Sequence, residues 1–442
     1  MDEPKSLSEV IADKWEEWVP QLGAERERIE CELTLLLREL DEAEELDQIA
    51  AVRKKILDLL YKFSAIHREL ILAKGSATPA TNEPRTGARH PTYEPKERYQ
   101  IVPVYYGTNR AVSATLGSRI LYGGVCGDLA YGVAKVGIPD DHRMGRIERP
   151  RYWKLQFWKR DPARYVEVLQ IEELPLADFK AQAIGDLGRC RKREVLLFVH
   201  GYNVGFGDAL MRTAQIAYDL QFAGIPALFS WPSQGSLFFS WPSDLTLFKW
   251  PEDGWIKTYS IDEKNIKDSR SYFEEFLQVL CGELGADVVH IIAHSMGNRL
   301  LAEAIAAMAH PQTPPGARLR QIVLAAPDID VESFKQLAEQ FREKAERFTL
   351  YASSGDKALQ ISKRLNHRPR AGDCGLDIVL HDAVDTIDAS AVDTSFLGHS
   401  YYGDNRSVMS DIFSVVRNGT PPQDRHLREA ELYGKPYWAF PS

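Results

Sequence analysis

Residues 288–305, VVHIIAHSMGNRLLAEAI, carry an apolar run, a serine and an apolar helical pattern in immediate succession. The run predicts a buried strand, and the spacing after it predicts an amphipathic helix. Ser295 then lies in the sharp turn between them, flanked by the small residues Ala293 and Gly297. A strand that leads through a tight turn into a helix favours an α/β domain, and a serine in that turn is a candidate nucleophile.

The rest of the chain repeats this alternation. The later apolar segments are short and apolar throughout, as is typical of strands buried on both faces of a parallel sheet. We therefore predict one α/β domain with a mostly parallel sheet over residues 98–420, followed by a tail over 421–442. The predicted strands cover residues 99–107, 129–138, 165–174, 194–201, 225–231, 288–295, 321–327, 347–353 and 382–390, and the predicted helices cover 208–221, 265–284, 297–309, 331–345 and 405–417.

The amino-terminal residues 1–74 have a different pattern. Apolar residues from 25 to 73 alternate in steps of three and four, which predicts a helical hairpin or an interrupted coiled coil. Two interpretations stay open: the helices pack on their own domain, or they bind a protein partner or a second copy of the chain. Residues 75–97 are rich in Gly, Pro, Ser and Thr and predict a flexible linker.

Composition narrows the class of protein. The 442 residues carry a net charge of -9, which does not favour nucleic acid as a partner. The five cysteines are widely spaced and include no C-x-x-C pair, so we expect neither a disulfide framework nor a structural metal site. The first residues are charged where a secretory signal is apolar, and no run of 18 apolar residues occurs. We therefore expect a cytoplasmic protein without a membrane span.

A second motif precedes the serine turn. The apolar segment EVLLFV is followed by His200, Gly201, Tyr202 and Asn203. In a serine hydrolase of α/β type, the loop after this strand gives one backbone N–H to the oxyanion hole, and the residue after the nucleophile gives the other. We therefore predict the N–H groups of Tyr202 and Met296 as oxyanion donors, with His200, Gly201, Asn203 and Gly297 as supporting residues.

A catalytic acid should follow the serine in the chain. Asp356 comes just after the predicted strand 347–353, in a Ser-Ser-Gly turn, and is our first choice. Asp328 and Asp330, one strand earlier, are the alternatives. Asp328 also has a structural explanation, as the cap of the helix that begins near residue 331.

The catalytic base should be a histidine after the acid. His399 lies in the glycine-flanked loop FLGHSYYG, which follows the last predicted strand and precedes the last predicted helix. That loop can return an imidazole to Ser295. The other histidines in this part of the chain are His367, His381 and His426.

Several ordered strings extend the pattern: LLFVHGYNVGFGDALMRTAQIAYDL, ALFSWPSQGS, IIAHSMGNRLL, VLAAPDID, LYASSGDKAL and LGHSYYG, with VYYGTNRA and VAKVGIPDDH upstream. Together they resemble the bacterial α/β-hydrolase family catalogued as domain of unknown function 900, over residues 100–418. The resemblance implies an α/β-hydrolase fold and an esterase- or lipase-like serine hydrolase. It implies a triad at Ser295, Asp356 and His399, the residues chosen above. We expect this activity to need no metal and no cofactor.

One segment departs from the family pattern. Residues 236–257 repeat the string FSWPS and are rich in Phe, Leu and Trp. They follow a predicted strand end, where active sites open, so they are either a lid over a small-molecule or lipid-like ester or a surface duplication. Acyltransfer, thioester hydrolysis and amide hydrolysis use the same triad and stay open. So does a non-catalytic interaction protein recruited through the amino-terminal helices.

Overall fold

A computed structural model describes residues 98–116, 119–149, 161–233, 252–308, 316–374, 378–392 and 406–441, together with Arg28, Glu32 and Lys55. The chain divides into two compact units, Met1–Pro95 with Arg151–Trp158, and Lys96–Pro150 with Lys159–Ser442. In the first unit the three described residues are helical. Apart from these three residues, the predicted coiled coil, the linker and residues 236–251 of the aromatic insertion lie outside the described residues.

The second unit is built on one large sheet. Within the described residues the sheet has eleven strands in the order β10-β11-β9-β8-β7-β6-β4-β5-β1-β2-β3. The strands are β1 (Tyr99–Leu116), β2 (Arg119–Pro139), β3 (Glu167–Leu174), β4 (Glu194–Val199), β5 (Ile225–Ser230), β6 (Val288–His294), β7 (Arg318–Ala325), β8 (Arg347–Ala352), β9 (Asp385–Asp388), β10 (Arg428–Leu432) and β11 (Lys435–Ala439).

The centre of the sheet is parallel, from β1 through β5, β4, β6, β7, β8 and β9 to β11. The predicted α/β-hydrolase architecture with a mostly parallel sheet is confirmed. Among the described strands, antiparallel pairing occurs at the two edges, where β1, β2 and β3 form a meander and β10 pairs with β11. Because the carboxyl ends of parallel strands meet at one edge, the loops after β4, β6, β7 and β8 emerge together.

Helices follow most of the central strands. They are α1 (Leu176–Arg189), α2 (Phe206–Asp219), α3 (Glu252–Asp268), α4 (Arg270–Gly282), α5 (Gly297–Ala307), α6 (Val331–Ala338), α7 (Lys357–Asn366) and α8 (Arg406–Phe413), with a π-helical turn at Ser414–Asn418. Helices α1 and α7 were not predicted from the sequence, and the helix predicted over 265–284 is α4 with the end of α3, separated only by Ser269. No helix in the described part of the chain is long and apolar enough to cross a bilayer.

Two apolar cores explain why the strands are apolar throughout. Along β4, Val195, Leu197 and Val199 pack into one core, with α1 and α4. Leu196 and Phe198 point to the other face and pack into a second core, with α2 and α8. Each of these side chains, once buried, stabilises the fold by about 1.5–3 kcal/mol. A strand covered by helices on both faces therefore shows no polar alternation.

The carboxyl-terminal residues differ from the predicted tail. Strands β10 and β11 form a hairpin, and β11 extends the sheet by pairing Trp438 with Ile387. Tyr433 and Gly434, both with positive φ, make the two-residue loop of the hairpin, as its twist requires. The charged residues of β10 obscured this strand in the sequence, since an edge strand faces water with much of its surface.

Candidate active site

Ser295 lies between β6 and α5, at the carboxyl edge of the sheet, and has φ 50°. A left-handed backbone costs a non-glycine residue about 1–3 kcal/mol, so neighbouring contacts must hold it. The Ser295 N–H donates to the Ala325 carbonyl over 3.0 Å, and its carbonyl accepts from the N–H groups of Asn298 and Asp328 over 3.1 and 3.2 Å. The Asn298 side-chain amide donates to the same Ser295 carbonyl over 3.0 Å. The strained turn is thus fixed from β7 and from α5.

Two glycines allow the close packing of this turn. A Cβ added at Gly201 would lie 2.8 Å from Ser295 Cβ and 2.7 Å from His294 Nδ1. A Cβ added at Gly297 would lie 2.5 Å from the His200 carbonyl oxygen. All three distances are shorter than van der Waals contact, so the loop after β4 and the turn after β6 are in direct contact at these glycines. The structure therefore brings the predicted supporting loop and Ser295 together.

The two predicted oxyanion donors belong to these touching segments. Tyr202 and Met296 have buried side chains, and the Tyr202 ring packs 5.7 Å from that of Tyr259. Met296 directly precedes α5, and no acceptor for its N–H lies among the described residues. Asn203 has φ 56°, and its N–H donates to Asp262 over 3.2 Å. The loop thus has a fixed backbone.

His200 is fully buried and stacks on Trp231 with ring centroids 5.2 Å apart. Its Nε2 lies 3.2 Å from Arg110 Nη2, and its Nδ1 lies 2.9 Å from the Gly201 carbonyl oxygen. Burial and the positive charge of Arg110 lower the pKa of His200 to about 3. The imidazole is therefore neutral, but with so low a pKa it is a weak base, and both ring nitrogens already contact protein groups. These properties suit a supporting residue rather than the general base.

Asp356 follows β8, two strands from β6, which corresponds to roughly 10 Å at ordinary strand spacing. It is buried, and its Oδ1 accepts from the Leu359 N–H over 3.1 Å at the start of α7. Asp356 and Ser295 therefore both lie at the carboxyl edge of the sheet. The carboxylate also caps a helix, a role that restricts its rotation.

Asp328, the alternative acid, is the centre of a buried polar cluster. Its Oδ1 accepts from Ser362 Oγ over 2.6 Å, and its Oδ2 accepts from Tyr259 over 2.8 Å. Arg299 and Arg370 lie 3.6 and 3.4 Å from the carboxylate. Burial and the Asp328 charge raise the pKa of Tyr259 to about 12, so the phenol stays protonated. Both carboxylate oxygens already accept hydrogen bonds from the protein.

The helix cap assigned to Asp328 belongs to Asp330 instead. The Asp330 side chain accepts from the Ser333 N–H over 3.1 Å at the start of α6. The two aspartates are two residues apart, and only the second has the position from which a side chain reaches the first turn. Asp328 points into the cluster.

The candidate base, His399, lies outside the described residues. The other three histidines considered belong to the described residues. His367 and His426 are exposed, and His381 Nε2 lies 3.0 Å from Glu339 Oε1. None of these three is paired with Asp356 by a hydrogen bond of the described residues.

Three buried polar residues in the middle of β1, where its pairing with β5 ends, were not predicted from the sequence. Thr108 Oγ1 donates to the Ser230 carbonyl over 2.6 Å, Asn109 Nδ2 donates to Ser269 Oγ over 2.9 Å, and Arg110 contacts His200. The signal was present in VYYGTNRA, where three polar residues directly follow an apolar strand. Polar side chains that directly follow a buried apolar run indicate hydrogen bonds to the neighbouring loops.

The mostly parallel sheet, the helices on both faces and the strained serine turn after β6 define an α/β-hydrolase. A model of the family described as alpha/beta hydrolase of unknown function, DUF900, matches residues 177–417, and the chain belongs to this family. No curated protein matches the chain. Among solved structures, the siderophore hydrolase EstB from Aspergillus fumigatus is similar at 15% identity and a TM-score of 0.19, over 52% of this chain and 79% of that one.

Proposed function

We propose that the protein is a serine hydrolase of carboxylic esters. Ser295 is the nucleophile, His399 the general base and Asp356 the carboxylate that orients the imidazole. The observation that carries the proposal is the left-handed backbone of Ser295, held between β6 and α5 against Gly201. Strain of this kind persists only where the surroundings enforce it, and it lifts a serine Oγ above the edge of a parallel sheet.

The reaction has two steps. Ser295 Oγ attacks the ester carbonyl while its proton passes to His399, and the carbonyl oxygen becomes an anion bound by the N–H groups of Tyr202 and Met296. The anion collapses, the C–O bond to the alcohol breaks, and His399 protonates the leaving alcohol. Water then attacks the acyl-serine while His399 takes its proton, the bond between the acyl carbon and Ser295 Oγ breaks, and His399 returns the proton to Oγ as the carboxylic acid is released.

Labelling with a fluorophosphonate tests the nucleophile. We expect wild-type protein to react and Ser295→Ala to lose the reaction. A matched control is Ser269→Ala, since Ser269 is a buried serine that the mechanism does not use. If wild type and Ser295→Ala react equally slowly, or equally fast, Ser295 is not the nucleophile.

The proposed substrates are small-molecule or lipid-like esters, because residues 236–257, which follow β5 in the chain, are rich in Phe, Leu and Trp. Helix α3 begins at Glu252, so the last six residues of this segment belong to a helix. A deletion of residues 236–250 leaves α3 intact and tests the lid without removing Tyr259. With p-nitrophenyl esters of increasing chain length, we expect the deletion to lower kcat/KM for long chains more than for acetate. An unchanged chain-length profile would refute the lid.

The same acyl-enzyme can transfer its acyl group to an acceptor other than water. Thioesters, anilides and added alcohols, assayed beside the ester panel, separate these reactions. We expect esters to give the highest kcat/KM, because oxygen esters combine a reactive carbonyl with a leaving alcohol that His399 can protonate. A higher kcat/KM for a thioester or anilide would assign the reaction class differently.

A further inference from the structure

Arg110 lies at the point where β1 leaves the central sheet. The pairing of β1 with β5 ends at Thr108, and the Arg110 side chain is 3 % exposed. Its guanidinium makes five contacts. Nε donates to Ser230 Oγ over 2.8 Å, Nη1 donates to the carbonyls of Gly123 and Ser233 over 2.9 Å each, and Nη2 donates to the Val204 carbonyl over 2.7 Å and to His200 over 3.2 Å.

Every one of these acceptors is neutral. A buried arginine is costly unless it is paired, and among the described residues Arg110 has no carboxylate within salt-bridge distance. The five N–H groups instead join three segments: the β1–β2 arm, the end of β5 and the loop His200–Val204. This arrangement fixes relative positions, because the planar guanidinium has a rigid fork of donors.

The contact with His200 also selects its tautomer. A guanidinium only donates, so Nε2 of His200 is an acceptor and the ring proton is on Nδ1. Ser230 Oγ lies 3.1 Å from the same Nε2, and because it accepts from Arg110 Nε, its own proton can be donated to Nε2 in the same tautomer. That Nδ1–H donates to the Gly201 carbonyl over 2.9 Å. In the trans peptide between Gly201 and Tyr202, the carbonyl and the N–H point in opposite directions. Fixing the Gly201 carbonyl therefore also fixes the direction of the Tyr202 N–H.

We propose that Arg110 is a positioning residue for the oxyanion hole, acting through the His200 tautomer on the Gly201–Tyr202 peptide. The inference rests on the proposed function, since Tyr202 is an oxyanion donor only in that mechanism. The side-chain hydrogen bonds of Arg110 among the described residues do not include Ser295. Its loss leaves substrate binding in place and weakens the transition state, in which the oxyanion forms.

Kinetics of Arg110→Met and Arg110→Lys test the role. We expect kcat for p-nitrophenyl acetate to fall on the order of tenfold to a hundredfold in Arg110→Met, less than the loss of a whole oxyanion donor, with KM changed less than about twofold. Lysine keeps the charge but not the fork and should recover only part of the activity. The matched control is Arg425→Met, because Arg425 is also buried but pairs with Asp411. It should lower thermal stability without this change in kcat.

A trifluoromethyl ketone supplies a readout that a general loss of stability does not move. Ser295 adds to its carbonyl, the proton passes to the base, and the product oxygen occupies the oxyanion hole. Its Ki should rise in parallel with the loss of kcat/KM across the Arg110 variants, while KM does not follow. Unchanged Ki and kcat in folded Arg110→Met would overturn the proposal.

The tautomer can be read in wild-type protein even where a variant does not fold. In ¹⁵N-histidine spectra, with the His200 signals assigned by their absence in His200→Gln, we expect the proton on Nδ1. A proton on Nε2 would overturn the role of Arg110. If wild type lacks Ser295-dependent labelling, the proposed function fails, and this inference with it. If labelling is intact but the Arg110 readouts do not change, only the inference about Arg110 fails.

Discussion

Gly201 and Gly297 lie where two backbone segments touch, and substitution at each should have a distinct effect. In Gly201→Ala the new methyl meets Ser295 Cβ and His294, so we expect a large loss of turnover. In Gly297→Ala the new methyl meets the backbone carbonyls of His200 and Val199, which cannot move aside easily. The free energy of unfolding should therefore fall by about 1–3 kcal/mol.

Gly207→Ala is the matched control for both variants, because an added Cβ there meets no atom within 4 Å. It lies in the first turn of α2, and alanine should keep or raise stability there. Denaturant unfolding and kcat for a p-nitrophenyl ester measure the three variants. Equal behaviour of all three would show that the two loops do not touch as described.

Substitution of the two buried aspartates should also have two different effects, one on turnover and one on stability. Asp356→Asn should lower kcat by roughly ten-thousandfold, since an amide at the orienting position favours the wrong imidazole tautomer. Asp328→Asn removes the anion between Arg299 and Arg370 and should destabilise the fold by about 3–5 kcal/mol. Kinetics well below each unfolding transition distinguish the two effects. A larger loss of kcat in Asp328→Asn would transfer the orienting role to Asp328.

Much of the Ser295 turn could be predicted from the sequence, because its requirements are local: an apolar strand, small neighbours and a helix start. The cluster around Asp328 could not. Tyr259, Arg299, Ser362 and Arg370 come from four separate segments, and no periodicity indicates that they meet. Buried polar contacts of this kind depend on the tertiary structure.

At the scale of elements, the connection between β2 and β3 is held to α2 by a buried histidine. His142 Nδ1 lies 2.7 Å from Glu148 and Nε2 lies 2.9 Å from Asp219, at the end of α2. Burial lowers the pKa of His142, but the hydrogen bonds and charges of Asp219 and Glu148 raise it by more than burial lowers it. The resulting pKa is about 9. The imidazolium therefore clamps the connection to the helix.

This clamp predicts a pH dependence of stability. The folded pKa lies above the ordinary value of 6.5, so its contribution is complete below pH 6.5 and is lost as the pH rises to about 9. The difference in unfolding free energy between wild type and His142→Gln should shrink by at most about 3 kcal/mol over this range. Exposed His426→Gln is the control and should show no such trend. A difference independent of pH would mean that His142 is neutral in the fold.

Among the elements, the central strands were predictable because they are apolar throughout. The antiparallel meander of β1, β2 and β3 was not specified, since the apolar pattern of a strand does not give its direction. Strand β10 was not predicted because its charged residues lack an apolar pattern and are typical of an unstructured tail.

At the scale of the whole molecule, the amino-terminal residues 25–73 are proposed to bind a second copy of the chain through their heptad pattern. Light scattering coupled to size-exclusion chromatography should give a multiple of the 50.0 kDa chain mass for the full protein. After removal of residues 1–97, it should give the mass of one truncated chain. The α/β-hydrolase domain should keep the proposed esterase activity, because all proposed catalytic residues lie beyond residue 97. A full-length monomer would refute the oligomer.

The central claim is that Ser295 carries the acyl group during turnover. The most direct measurement is peptide mass spectrometry of protein quenched during hydrolysis of a p-nitrophenyl ester, with Asp356→Asn used to slow release of the acyl group. We predict one acyl group on the peptide that contains Ser295, and none in Ser295→Ala. An acyl group on another residue, or turnover that persists in Ser295→Ala, would contradict the account.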